Sequence, residues 1–168
     1  MPVTAPPTDH QLLTIYLNNH LAGAAAGTRR AHRTARSLSD PEGARLLRQL
    51  AADIACDTAS LRRVMRELGV PERRPYAWLG RLGELAGLLK PNGTLLRRSP
   101  LTDLVELEAL RLGVLGKRQL WAALADRAGA DPRVDRARLD ELADRADRQA
   151  ELLEGLRRSA AGVLTARP

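Results

Sequence analysis

The sequence predicts an all-α fold, a four-helix bundle of long helices, and three observations carry that reading. Apolar residues make up 44% of the 168-residue chain, and Leu and Ala, two of the best helix formers, dominate them. Aromatic residues are limited to Tyr16, Tyr76, Trp78 and Trp121, with no Phe, so the core is built from small and aliphatic side chains that let helices approach closely. No segment alternates with the period of a strand, whereas four long segments carry apolar residues at helical spacing between clusters of turn residues.

The elements follow in order. Residues 1–8 hold three prolines and read as a disordered lead, leaving 9–168 as the bundle. The first helix is expected over about Asp9–Ser37. Thr8 or Asp9 can cap it, and Arg29, Arg30, Arg33 and Arg36 suit the negative end of its dipole. Asp40 is a good N-cap and Pro41 a good first residue for the second helix, which Gly69 and Pro71 stop after Leu68. Residues 70–98 form a long connection holding a shorter helix, about Pro75–Lys90, ended by Pro91-Asn92-Gly93. Ser99-Pro100 opens the third long helix, expected to reach Ala128. A turn around Asp131-Pro132 then leads to the fourth, about Arg136–Leu164. Each long helix would span roughly 40 Å at the standard rise. Short first and last connections predict two antiparallel hairpins. The long middle connection favours a crossover along the bundle, as in ferritin-like folds, over simple up-down-up-down order.

Composition bounds the function classes. No run of 18 apolar residues is present, so no membrane span is expected. The first residues lack the pattern of a secretory signal. Cys56 is the single cysteine, which excludes an internal disulfide and CxxC metal spacing and suggests a cytoplasmic setting. The net charge of +7 lies wholly in residues 1–99, with 15 basic and 8 acidic side chains, while residues 100–168 carry 12 of each. Nearly all the cations are Arg; the only lysines are Lys90 and Lys117. The Arg pairs at 29–30, 62–63, 73–74 and 97–98 are scattered over helix ends and loops. Few aromatics are available for base stacking, so nucleic acid is not the expected partner.

Helical periodicity assigns the candidate core faces. On the first helix the stripe holds Leu13, Tyr16, Leu17, Gly23, Ala24, Gly27 and Ala31, with His20 at its centre. On the second it holds Leu46, Leu50, Ile54, Leu61, Val64 and Leu68, with Asp57 among them. His20 and Asp57 are nearly equidistant from the turn between the two helices, so an antiparallel hairpin is expected to bring them face to face. Such a pair could be an acid–base couple or half a metal site, or a structural pair that fixes register. On the third helix Glu108 falls in the stripe Leu101, Leu104, Val105, Leu112 and Leu115. On the fourth Gln149 sits among Leu142, Ala146, Leu153 and Leu156. His20, Asp57, Glu108 and Gln149 are therefore the candidate buried polar cluster. In the crossover order Glu108 would be displaced along the axis by roughly 12 Å, from the rise per residue. A second apolar stripe on the third helix (Leu107, Leu110, Val114, Trp121) is expected to pack under the 75–90 segment or to form a dimer interface.

The histidines are His10, His20 and His32, and none has Glu three residues before it. The usual di-iron carboxylate site, which needs Glu-x-x-His on two helices, is excluded. No glycine-rich phosphate loop, GxSxG elbow or Cys-His couple is present, and no metal or cofactor is expected.

The segments YLNNHLAG (16–23), SPLTDLVELEALRLGVLGK (99–117) and RADRQAELLEGLR (145–157), with AW at 77–78 and KPNG at 90–93, resemble a family of uncharacterised actinobacterial helical-bundle proteins. The resemblance spans nearly the whole chain. It implies a ferritin-like bundle of intracellular actinobacterial origin and no particular activity. His20, Leu21 and Gly23 fall in its first motif, and Glu106 and Glu108 in its second. The expectation is a non-enzymatic bundle that binds a protein partner or self-associates as a homo-oligomer. A ferritin-like metal or redox enzyme with a non-standard site, and a basic nucleic-acid binder, stand as alternatives.

Overall fold

The computed structural model describes residues 6–73, 99, 101–128 and 131–164. They form a bundle of four long helices: α1 (Asp9–Ser37), α2 (Pro41–Glu67), α3 (Leu101–Ala128) and α4 (Arg136–Ala161), the last continued by a 3₁₀ turn, Gly162–Leu164. No strand is present among the described residues. The short helix expected over 75–90 lies outside them.

Local chemistry sets the helix ends. Thr8 and Gln11 form a reciprocal capping box at the start of α1. The Asp40 carboxylate accepts from the backbone N–H of Glu42 and Gly43 at 3.1 and 2.9 Å, and Pro41 follows it as first helical residue. α2 stops at Gly69, whose φ of +67° lets the N–H groups of Gly69 and Val70 return to the carbonyls of Arg66 and Met65. That is the glycine-terminated double hydrogen bond common at helix ends. Asp135 caps α4 through the Arg138 N–H.

Cross-helix ion pairs give the directions. Glu106 near the start of α3 meets Arg30 and Arg33 near the end of α1, at 3.3 and 3.4 Å. Glu67 at the end of α2 meets Arg138 at the start of α4, at 3.4 Å. Arg111 pairs with Glu154 and Arg118 with Asp147, each at 3.3 Å. So α1 and α4 run one way and α2 and α3 the other. α2 therefore ends, and α3 begins, at opposite ends of the bundle, which is the crossover order. Asn18 of α1 fastens the chain leaving α2: its amide donates to the Pro71 carbonyl at 3.0 Å, and its Oδ1 accepts from the Arg73 N–H at 2.7 Å.

The core is Leu-rich and continuous through all four helices, with Leu17, Leu47, Leu50, Met65, Leu107, Leu120, Trp121, Leu139 and Leu153 fully buried. Two expected faces need correction. On α1 the buried line is Leu17, Leu21, Ala31 and Ala35, while Tyr16 and Gly23 are exposed. On α3 the second stripe, Leu107, Leu110, Val114 and Trp121, is the core face; Glu108 is exposed and Leu112 is 67% exposed. On α3 apolar residues lie on nearly every side, so periodicity alone does not single out the face that meets the core.

A candidate ligand groove between α1 and α3

α1 and α3 do not close on one another along their middles. A cavity of about 590 Å³ separates them, walled by Asn19–Arg30 of α1 and Val105–Trp121 of α3, with Ile54, Asp57, Thr58 and Leu61 of α2 as its floor. Four mid-helix glycines face it: Gly23 and Gly27 on one wall, Gly113 and Gly116 on the other. A Cβ built on any of the four meets nothing within 4 Å. Gly43 is the contrast. There a Cβ would come within 2.7 Å of Asp40 Oδ2 and 2.8 Å of Leu38 Cδ2, so those side chains of the α1–α2 turn pack onto the glycine and would have to shift to admit a methyl. The groove glycines serve neither close packing nor a positive φ, yet each costs about 0.5–1 kcal/mol relative to Ala in a helix interior. Their effect is to widen the groove.

A polar cluster lies at the floor. Asp57 is 2% exposed. Its Oδ2 accepts from the Lys117 ammonium at 2.5 Å and from the Gln149 amide at 3.3 Å. Lys117 also donates to Gln149 Oε1. Arg145 of α4 brings Nε to 3.0 Å from Asp57 Oδ1, an ion pair without an aligned hydrogen bond. The Lys117 side chain is 11% exposed and also lines the cavity. Burial pulls its pKa below the usual lysine value, against the opposing pull of Asp57. One helical turn further on the same face of α3, Trp121 is fully buried and also lines the cavity, and its indole N–H has no hydrogen-bond partner. A buried donor without an acceptor is uncommon and calls for an explanation.

Of the four residues expected to cluster, the structure joins Asp57 and Gln149 directly. His20 and Glu108 stand elsewhere on the same groove. The Asp57 carboxylate is answered by Lys117, Gln149 and Arg145 rather than by His20. His20 is half-buried and packs edge-to-face on Tyr16, ring centroids 4.7 Å apart. Glu108 is exposed on the α3 wall, because the crossover order brings Lys117, nine residues on, to the level of Asp57. Sequence reasoning missed Lys117 and Trp121 as site residues. The available signal was a lone lysine inside an apolar stripe of a chain that otherwise uses Arg.

Burial lowers the His20 pKa below 6.5. Between 6.5 and that lower folded value the unfolded chain binds the proton first, so the contribution of His20 to stability falls as pH falls through the window. Urea unfolding of the wild type and His20→Gln at about pH 7.5 and about pH 5 is expected to show the wild type losing ground to the variant at the lower pH. Equal losses would contradict the placement of His20 against the groove wall.

Among the described residues no three of His, Cys, Asp and Glu gather in a geometry suited to a metal ion, and Cys56 is free and exposed. No described helix is long and apolar enough to cross a membrane. No protein family, curated protein or solved structure matches the chain.

Proposed function

We propose that this bundle is a non-enzymatic binding protein whose α1–α3 groove holds an elongated, largely apolar small molecule. The groove itself carries the reading: a cavity of about 590 Å³ lies within the range of small-molecule sites, 300–1,000 Å³. Its walls are mostly Ala, Gly, Val and Leu, with a minority of polar groups on the walls and at the floor, the usual make-up of such sites. The cavity is too small for a partner helix, whose diameter with side chains is about 10–12 Å, but long enough along the helices for an extended chain. The ferritin-like, actinobacterial family suggested by the sequence motifs is compatible with this role and assigns no chemistry to it.

The test is calorimetric titration with decanol at two temperatures, on the wild type and on Gly27→Leu/Gly113→Leu. Binding to the wild type with a negative heat-capacity change is expected, the mark of apolar burial. The two leucines would occupy the groove without disturbing the core, since a Cβ at either position meets nothing, and binding should weaken at least tenfold, about 1.4 kcal/mol. Equal affinity in a folded double variant would move the ligand out of the groove.

A further inference from the structure

From the floor of the groove we infer that Lys117 is a covalent capture site for apolar aldehydes, which it holds as a protonated imine paired with Asp57. The inference rests on the small-molecule reading of the groove and names the reactive group of the ligand.

Four observations converge on Lys117. Its side chain lines a cavity whose surface is mostly apolar. Its side chain is largely withdrawn from water, which favours the neutral, nucleophilic amine, and burial is the leading cause of its lowered pKa. Asp57 touches the nitrogen directly and is itself held by Gln149 and Arg145. One turn away, Trp121 lines the same cavity and adds to its apolar surface. The chain also reserves lysine: only Lys117 and Lys90 are lysines among 27 basic residues. An Arg guanidinium would serve a plain ion pair with Asp57 well, but it cannot form an imine.

The chemistry balances without an added oxidant or reductant. The Asp57 carboxylate takes a proton from the Lys117 ammonium. The freed amine lone pair attacks the aldehyde carbon, and the carbonyl π pair moves to oxygen. Proton transfer from nitrogen to oxygen gives the neutral carbinolamine. Asp57 then returns its proton to the hydroxyl, which leaves as water as the C=N bond forms. Ammonium plus aldehyde has become iminium plus water, with charge conserved and the iminium still facing Asp57.

The test incubates the full chain with decanal and sodium cyanoborohydride, followed by peptide mass spectrometry, with decanol titration run in parallel. Reductive alkylation concentrated at Lys117, at least tenfold faster than at Lys90 or the N-terminal amine, is the expected result. Lys117→Arg should abolish the adduct, and Asp57→Asn should slow adduct formation at least tenfold while leaving the amine in place. Should decanol bind while Lys117 is alkylated no faster than Lys90, the imine site is refuted and the groove reading survives. Should decanol fail to bind as well, both readings fall together.

Discussion

Replacing Asp57 by Ala is expected to destabilise the bundle by about 3–5 kcal/mol, the cost of removing one partner of a buried pair. The change strands the Lys117 ammonium, which Asp57 and Gln149 now hold, and it deprives Arg145 of its counter-charge. Lys117→Met should cost less, about 1–3 kcal/mol, the penalty of a weakened buried hydrogen-bond set. Arg145 and Gln149 still face the carboxylate in that variant. The double variant Asp57→Ala/Lys117→Met should recover part of the loss, because neither charge of the pair is then left buried without the other. Chemical denaturation of all four proteins gives the coupling, expected at about 1–3 kcal/mol. Additivity within about 0.5 kcal/mol would mean that the two side chains do not share the floor of the groove. Because both groups are shielded from solvent, the coupling should change little with salt. His20→Ala, by contrast, removes only an edge-to-face ring contact from a half-buried position and should cost far less than Asp57→Ala.

The second large effect runs in the opposite direction. Replacing Gly23, Gly27, Gly113 and Gly116 together by Ala is expected to stabilise the protein by about 2–4 kcal/mol, from roughly 0.5–1 kcal/mol at each helix-interior site. None of the four has a positive φ, and an added methyl meets no neighbour. The gain comes mainly from the unfolded chain, which loses conformational freedom when glycine is replaced. The melting temperature should rise by several degrees, following the usual scaling for a domain of this size. A fall in stability would show that α1 and α3 close on one another in solution and that the glycines serve packing. Gly43→Ala is the internal control. It should not share the gain, since its Cβ would force the side chains of Asp40 and Leu38 at the α1–α2 turn to shift.

The helix boundaries were legible in the sequence because their determinants are local. Thr8, Asp40, Pro41 and Gly69 each perform in the structure the capping or stopping role their chemistry suggests. The crossover order followed from the lengths of the connections. The burial of Asp57 and Gln149 followed from helices whose polar and apolar faces are distinct. What local pattern could not supply was the face of α3. That helix is apolar on several sides, and two stripes, one through Glu108 and one through Trp121, competed for the core. Choosing the Glu108 stripe hid Lys117, which lies between Val114 and Trp121 on the other. The same choice left His20 as the apparent partner for Asp57. The groove was invisible for a related reason. Gly23 and Gly27 read as small residues that allow close packing, whereas in the structure they border open space. Whether a small residue marks contact or a gap depends on the neighbouring helix, which no single segment specifies.

A ligand in the space between α1 and α3 is the central expectation for this bundle. The most direct measurement is a crystal structure of the protein grown with 10-bromodecanol, with the bromine located by anomalous scattering. The expected result is a single strong bromine position between the glycines of α1 and α3, with the chain lying along Leu110 and Val114. A groove closed by the protein's own helices, or bromine bound only outside it, would contradict the account.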